Sequence, residues 1–505
     1  MSGDVRLPAG TRPQARPAIP RQRTPGWAQP DPVDELADRL GDFAAAAVHP
    51  DEIAALLESD GLSDERIRER YGVRDSFALA ETLYARVPRR YPEPDGPAPD
   101  PWRTGLLGCL LRGVVFALPG LAHILGAPLL TGPGDGLGLP AGTVPLLAGA
   151  LCGWAWNQGL AHRAYTWLGL GDRPAARRAL LLGAPAGALL GTLAAGAAAG
   201  PALPAALAFA AGQSCYLGAA TVLLVLGRER ALLAALLPMA AGAALALARP
   251  VPGAARVVLL LGSLAAVTAL ALREVAPAAK DVVRGPWTAG LTALLPFGAP
   301  GTGPGRYFAA PPRLTGSLPY ALFGLGTGAL VLYAALGDVL ANRAHGAVAA
   351  PAVVALTLSM GPAEWLLYRF RSAGLAGLRE AGTPRAFRSA VARTLTGCLA
   401  AYLVTLLALG LAACALWPQA PGPDGGRLAG LLLLGGVLWT GLLLQSFGAV
   451  TGAAAVCCAA ALAQTLALVT RAGNPHDVAL AVCGTAAAVQ AVLVCALLGR
   501  ATAHR

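Results

Sequence analysis

Six polar side chains carry the chemistry this sequence can offer, and all six lie in or beside apolar runs: Arg112, His123, Asn157, Gln158, Glu364 and Arg369. A charge in a membrane span costs roughly 2.5–3.5 kcal/mol on insertion scales, so a charge kept there points to a binding or ion site. Arg112 and His123 are 11 residues apart on the first apolar run. On a straight helix that is about three turns, so the two share a face. A guanidinium and an imidazole on one face suit a pyrophosphate or another anion. The alternative for Arg112 is snorkelling to the nearby interface. For His123 it is an ordinary hydrogen-bonded histidine. Asn157 and Gln158 sit midway along the second run, with Trp154, Trp156 and Arg163 around them. Glu364 sits in a later run between Pro362 and Trp365. Its carboxylate is a candidate proton or cation site, helped by carbonyls that Pro362 frees. The competing reading pairs Glu364 with Arg369 or Arg371 on the same helix.

Composition dictates what must position these residues. The chain has 505 residues, 55% hydrophobic and 13% charged, where a soluble domain has about 25% charged. It is therefore a membrane chain. Its net charge of +11 is carried mostly by arginines in a leading segment and in loops, which suits a cytoplasmic membrane face better than a nucleic acid. The nine cysteines lie inside apolar runs with no metal-ligand spacing, so they read as small buried hydrophobes. No signal peptide is expected, because the first long apolar run begins near Thr104.

A span takes about 20 apolar residues. Runs of that kind fall near 104–127, 141–165, 179–199, 203–226, 231–248 and 255–272, and again near 317–341, 347–368, 393–417, 428–447, 450–470 and 477–498. The expected fold is all-α, a polytopic membrane protein of about twelve transmembrane helices in two six-helix bundles, 104–274 and 317–499. A linker, 275–316, joins them and carries a short interfacial helix at Trp287–Phe297. Ahead of the spans come a Pro/Arg-rich tail (1–31), a soluble module of three or four short helices (32–91) and a Pro-rich linker (92–103). Residues 500–505 are a C-terminal tail. Within the module, Ile67–Val73 is similar to the first helix and turn of helix-turn-helix domains. No basic recognition helix follows Gly72, so protein docking is the better reading. The loop arginines place both termini on the cytoplasmic side of a cell membrane.

One hydrophilic phrase occurs twice. Gly171-Asp172-Arg173-Pro174-Ala175-Ala176-Arg177-Arg178 and Gly382-Thr383-Pro384-Arg385-Ala386-Phe387-Arg388-Ser389 each follow the second run of a half. A short cytoplasmic loop of this form between second and third helices, used twice in twelve spans, resembles the multidrug/oligosaccharidyl-lipid/polysaccharide flippase superfamily. The resemblance covers roughly residues 104–499. It implies alternating access around a central cavity and an amphiphilic, anionic, lipid-linked sugar or polysaccharide intermediate as substrate. Two alternatives remain: a drug/cation antiporter of the same superfamily, or a membrane scaffold recruiting a cytoplasmic protein through residues 32–91. No nucleotide-binding, protease or hydrolase signature is present, so neither an enzyme nor a bound cofactor or metal is expected. The expected partners are membrane lipid and the amphiphilic substrate, with no nucleic acid.

Overall fold

The computed structural model describes residues 31–88, 90, 100, 102, 105–130, 142–199, 204–284, 314–340, 350–416 and 425–498. Expectations for the N-terminal tail, most of the Pro-rich linker, the interfacial helix and the C-terminal tail lie outside them. Among the described residues every regular element is helical. The chain divides into two units, Met1–Pro99 and Asp100–Arg505.

The first unit holds five helices, more than the three or four expected: α1 (Pro32–Arg39), α2 (Gly41–Ala46), α3 (Pro50–Ser59), α4 (Asp64–Tyr71) and α5 (Ser76–Arg86). The extra element is α2, which follows Leu40, where the helical spacing read from Asp34 onward ends. Asp31 caps α1 by accepting from Val33 N, and Asp75 caps α5 by accepting from Ala78 N. Gly72 ends α4 at φ +69°, a left-handed conformation that costs glycine little. Val33, Leu36, Ile53, Leu57, Ile67, Leu79 and Leu83 form one buried core. The Asp31 and Asp75 carboxyls sit below the usual carboxylate range. For each, the largest cause is the capped backbone N–H; Arg86 adds to the effect on Asp31 and Arg74 to that on Asp75.

The second unit begins with a broken span. α6 (Leu106–Ala117) gives way to a 3-10 turn at Leu118–Leu121, and α7 (Ala122–Gly126) follows. Pro119 has no N–H to donate, so the α-helical ladder stops there. Then come α8 (Thr143–Gly169), α9 (Arg173–Ala198), α10 (Pro204–Val225), α11 (Glu229–Ala248) and α12 (Gly253–Arg284). After residue 313 follow α13 (Leu318–Leu340), α14 (Ala350–Glu380), α15 (Pro384–Leu416), α16 (Gly425–Ser446), α17 (Val450–Thr470) and α18 (Pro475–Leu498). Ten segments among the described residues are long and apolar enough to cross a membrane. α8 and α14, at 27 and 31 residues, are long enough but less apolar, because they carry the polar residues discussed below.

The repeated phrase has a local explanation. Asp172 accepts from Ala175 N at 3.0 Å and caps α9; Thr383 accepts from Ala386 N at 3.2 Å and caps α15. The alanine common to both copies is the residue whose N–H is capped. Ahead of α9, Gly171 adopts φ +75° and lets Asp172 N reach Trp167 O, which closes α8. A second pair of turns also matches. Gly227 at φ +71° joins α10 to α11, with Arg228 N on Leu223 O; Gly448 at φ +79° joins α16 to α17, with Ala449 N on Leu444 O.

Buried apolar side chains sort by half. One cluster runs from Val115 to Val275 and another from Phe323 to Leu498, and neither borrows from the other. Across the halves α6 packs on α14 and α8 on α13. These contacts are close because they use glycine. A Cβ on Gly113 would lie 2.8 Å from Gly361 N, and one on Gly361 would lie 2.8 Å from Cys109 O. The α6 and α14 backbones therefore touch directly. Gly324 and Gly328 of α13 likewise receive the Gln158 and Leu151 side chains of α8.

Candidate functional site

Arg112 stands where three helices converge. Its Nη2 donates to Glu229 Oε1 at 2.9 Å, and its Nη1 is paired with Glu364. Tyr368 OH, one turn along α14, donates to Glu364 at 3.2 Å. Each element contributes for a simple reason. Arg112 lies one residue before the glycine contact that brings α6 against α14. Glu229 is the first residue of α11, where the helix dipole favours an acid. Glu364 follows Pro362 on α14. The group is half-buried, with 35% of the Arg112 side chain and 22% of each glutamate side chain exposed. Two carboxylates share one guanidinium, so the trio carries one surplus negative charge when both acids are ionised.

Several sequence-based expectations change here. Glu364 is paired neither with Arg369 nor with Arg371, as its alternative reading had it, but with Arg112 from the other half. Arg369 is exposed, 5.4 Å from the Trp365 ring, and lies away from the trio. Arg371 is 3.7 Å over Trp102 and 5.0 Å from Phe447. In this arrangement the Arg112 guanidinium, read from the sequence as an anion holder, is engaged by two carboxylates. Nor do Arg112 and His123 share the face of one straight helix, since the 3-10 turn at Pro119 lies between them. His123 is exposed; its Nδ1 is 3.2 Å from Gly120 O and its ring meets Phe209 edge-on.

Asn157 and Gln158 separate as well. Asn157 is buried, and its Nδ2 donates to Gly153 O at 2.8 Å while its Oδ1 is sealed without a partner. Gln158 packs its stem on Gly324 of α13.

A second polar contact between halves was not anticipated from the sequence. His162 Nδ1 and Ser317 Oγ share a hydrogen bond at 3.0 Å, and the His162 ring stacks on Tyr320 at 3.7 Å. Ser317 is buried and directly precedes α13. Tyr165, one turn beyond His162, lies within electrostatic reach of Arg112, Glu229, Glu364 and Tyr368. Both clasps therefore occupy the same end of the membrane unit. Glu229 also escaped sequence reading. The available signal was an acid at a helix start between Arg228 and Arg230, in a loop otherwise counted only for its arginines.

Beside the trio, the segment entering α6 is anchored on α14. Ser372 Oγ donates to Asp100, and Trp102 stacks on Tyr368 at 6.2 Å. Among the described residues no three His, Cys, Asp or Glu side chains converge as a metal site would need.

These features define a class: a multi-pass, all-helical membrane protein whose two halves meet through close glycine contacts and ionic and hydrogen-bonded clasps. No family model matches the chain, and neither a curated protein nor a solved structure is significantly similar to it.

Proposed function

We propose that residues 100–505 form an alternating-access transporter, with α8 and α14 completing two sets of six spans. The observation that carries this reading is the junction between halves. Among the described residues the apolar cores are separate, and the polar ties that cross, Arg112 to Glu364 and His162 to Ser317, sit at one end. A rigid scaffold would gain more from one continuous core, since ionic ties among half-buried groups contribute little net stability. Ties that are cheap to exchange suit halves that rock. The matching turns at Gly227 and Gly448, and the matching caps at Asp172 and Thr383, support a duplicated unit in parallel orientation. In this arrangement the end carrying the clasps is closed.

The substrate class follows from the resemblance of the twice-used loop: an amphiphilic, anionic lipid-linked sugar or polysaccharide intermediate moved between leaflets of the cell membrane. The test is reconstitution. Purified protein in vesicles, with a fluorescent polyprenyl-diphosphate sugar in the inner leaflet, should expose the label to an external quencher faster than empty vesicles do. Equal rates with and without protein would overturn the reading.

A further inference from the structure

Arg163 is the most deeply buried arginine among the described residues. It retains 3% of its surface, yet has neither an ion-pair partner nor a hydrogen-bond acceptor among them. Five N–H donors and a full charge thus stand unmatched inside the fold. Leaving a buried charge unpaired is among the costliest arrangements a protein can hold. Snorkelling relieves it little, because a snorkelling guanidinium emerges into water and this residue keeps only 3% of its surface. The unpartnered atoms that are fully sealed include Nε of Arg177 and Arg178 but no nitrogen of Arg163. The trace of surface left to Arg163 is therefore at its guanidinium.

No acid on the same hairpin answers the charge. Arg163 lies one turn before Trp167, which packs on Ala175, Ala176 and Ala179 of α9. Arg177 and Arg178 sit between those alanines. The ion pairs among the described residues involve no acid from the α8–α9 hairpin. The hairpin's one acidic residue, Asp172, is engaged as the α9 cap.

We propose that Arg163 is the core of an oxyanion site on α8, taking a phosphoryl group. A planar guanidinium matches two oxygens of a phosphoryl group, and the enclosed setting strengthens that contact. The site stands apart from the Arg112 trio, whose guanidinium is already held by two carboxylates. It does not rest on the transport reading, since an anion can bind there whether or not anything is moved.

The test is thermal unfolding of the full chain, wild type against Arg163→Gln and Arg163→Lys. In detergent without phosphate, Arg163→Gln should be as stable as wild type or more stable, because it removes an uncompensated buried charge. Inorganic phosphate, compared with chloride at equal ionic strength, should raise the wild-type Tm saturably. Arg163→Gln should lose about tenfold or more in apparent phosphate affinity, and Arg163→Lys should keep part of it. Nanodiscs of phosphatidylcholine with and without phosphatidic acid separate the sources. A Tm rise with phosphatidic acid alone assigns a lipid headgroup, and one with inorganic phosphate alone assigns a free anion. No phosphate-specific or phosphatidic-acid-specific rise in wild type, or an equal rise in Arg163→Gln, overturns the proposal.

Discussion

Arg112→Met isolates the clasp. Methionine keeps most of the stem's apolar volume but leaves Glu229 and Glu364 facing one another across the space the guanidinium held. At charge separations of about 4 Å and an effective dielectric of about 20, each attraction is about 4 kcal/mol before desolvation. The arginine side chain is 35% exposed and each glutamate 22%, so screening reduces the net to about 1–2 kcal/mol per pair. Only the Arg112–Glu364 tie crosses the halves, so its loss, about 1–2 kcal/mol, shifts the closed-to-open ratio by roughly 5- to 30-fold. Cys109 reports on it: it is 2% exposed, one turn before Arg112, and its carbonyl lies against Gly361. In a variant with the other eight cysteines replaced, Arg112→Met should accelerate maleimide labelling of Cys109 by about that factor. Adding Glu229→Gln and Glu364→Gln removes the carboxylate repulsion and should bring the rate back toward the starting value. A labelling rate unchanged within twofold would refute the argument that this trio holds the end closed.

Gly361→Val forces a side chain into the 2.8 Å gap to Cys109 O, where backbone rather than a flexible tip must yield. Overpacking of this kind costs about 1–3 kcal/mol, read as a lower Tm in detergent and faster Cys109 labelling. Asp172→Ala removes the α9 cap and should cost about 1 kcal/mol, seen as faster amide exchange at Ala175, with α15 unaffected. Leu57→Ala empties a fully buried position in the first unit and should destabilise it by about 2–5 kcal/mol, read as lost exchange protection in α3 and α5. In the same unit, the Asp75 carboxyl is held low chiefly by Ala78 N–H and next by Arg74. A depressed folded value stabilises the fold above the unfolded value, near 3.8, and that contribution is lost as pH falls through the folded value. Protection factors of α5 amides should therefore drop below about pH 4 in wild type and show a weaker acid dependence in Asp75→Asn.

The sequence by itself determined the elements. Twenty-residue apolar runs have one stable form in hydrocarbon, a helix with its own backbone paired, so composition and length dictate the all-helical membrane class. Caps and turns are equally local: Asp172 and Thr383 reach N–H groups three residues away, and the twice-used phrase marks that reach. Pro119 could have been read the same way, since a missing N–H breaks a helix wherever it falls; the straight-helix spacing of Arg112 and His123 overlooked it.

Only the tertiary structure decided the partners. Glu364 had two arginines within seven residues on its own helix, yet it pairs with Arg112, 252 positions away. The reason is the contact of Gly113 with Gly361, which brings α6 and α14 backbone to backbone and leaves their long polar side chains nowhere else to meet. His162 meets Ser317, and Arg163 is enclosed without a partner, for the same kind of reason. Helical periodicity says which residues share a face; which other helix covers that face depends on packing across hundreds of residues, and no local spacing encodes it.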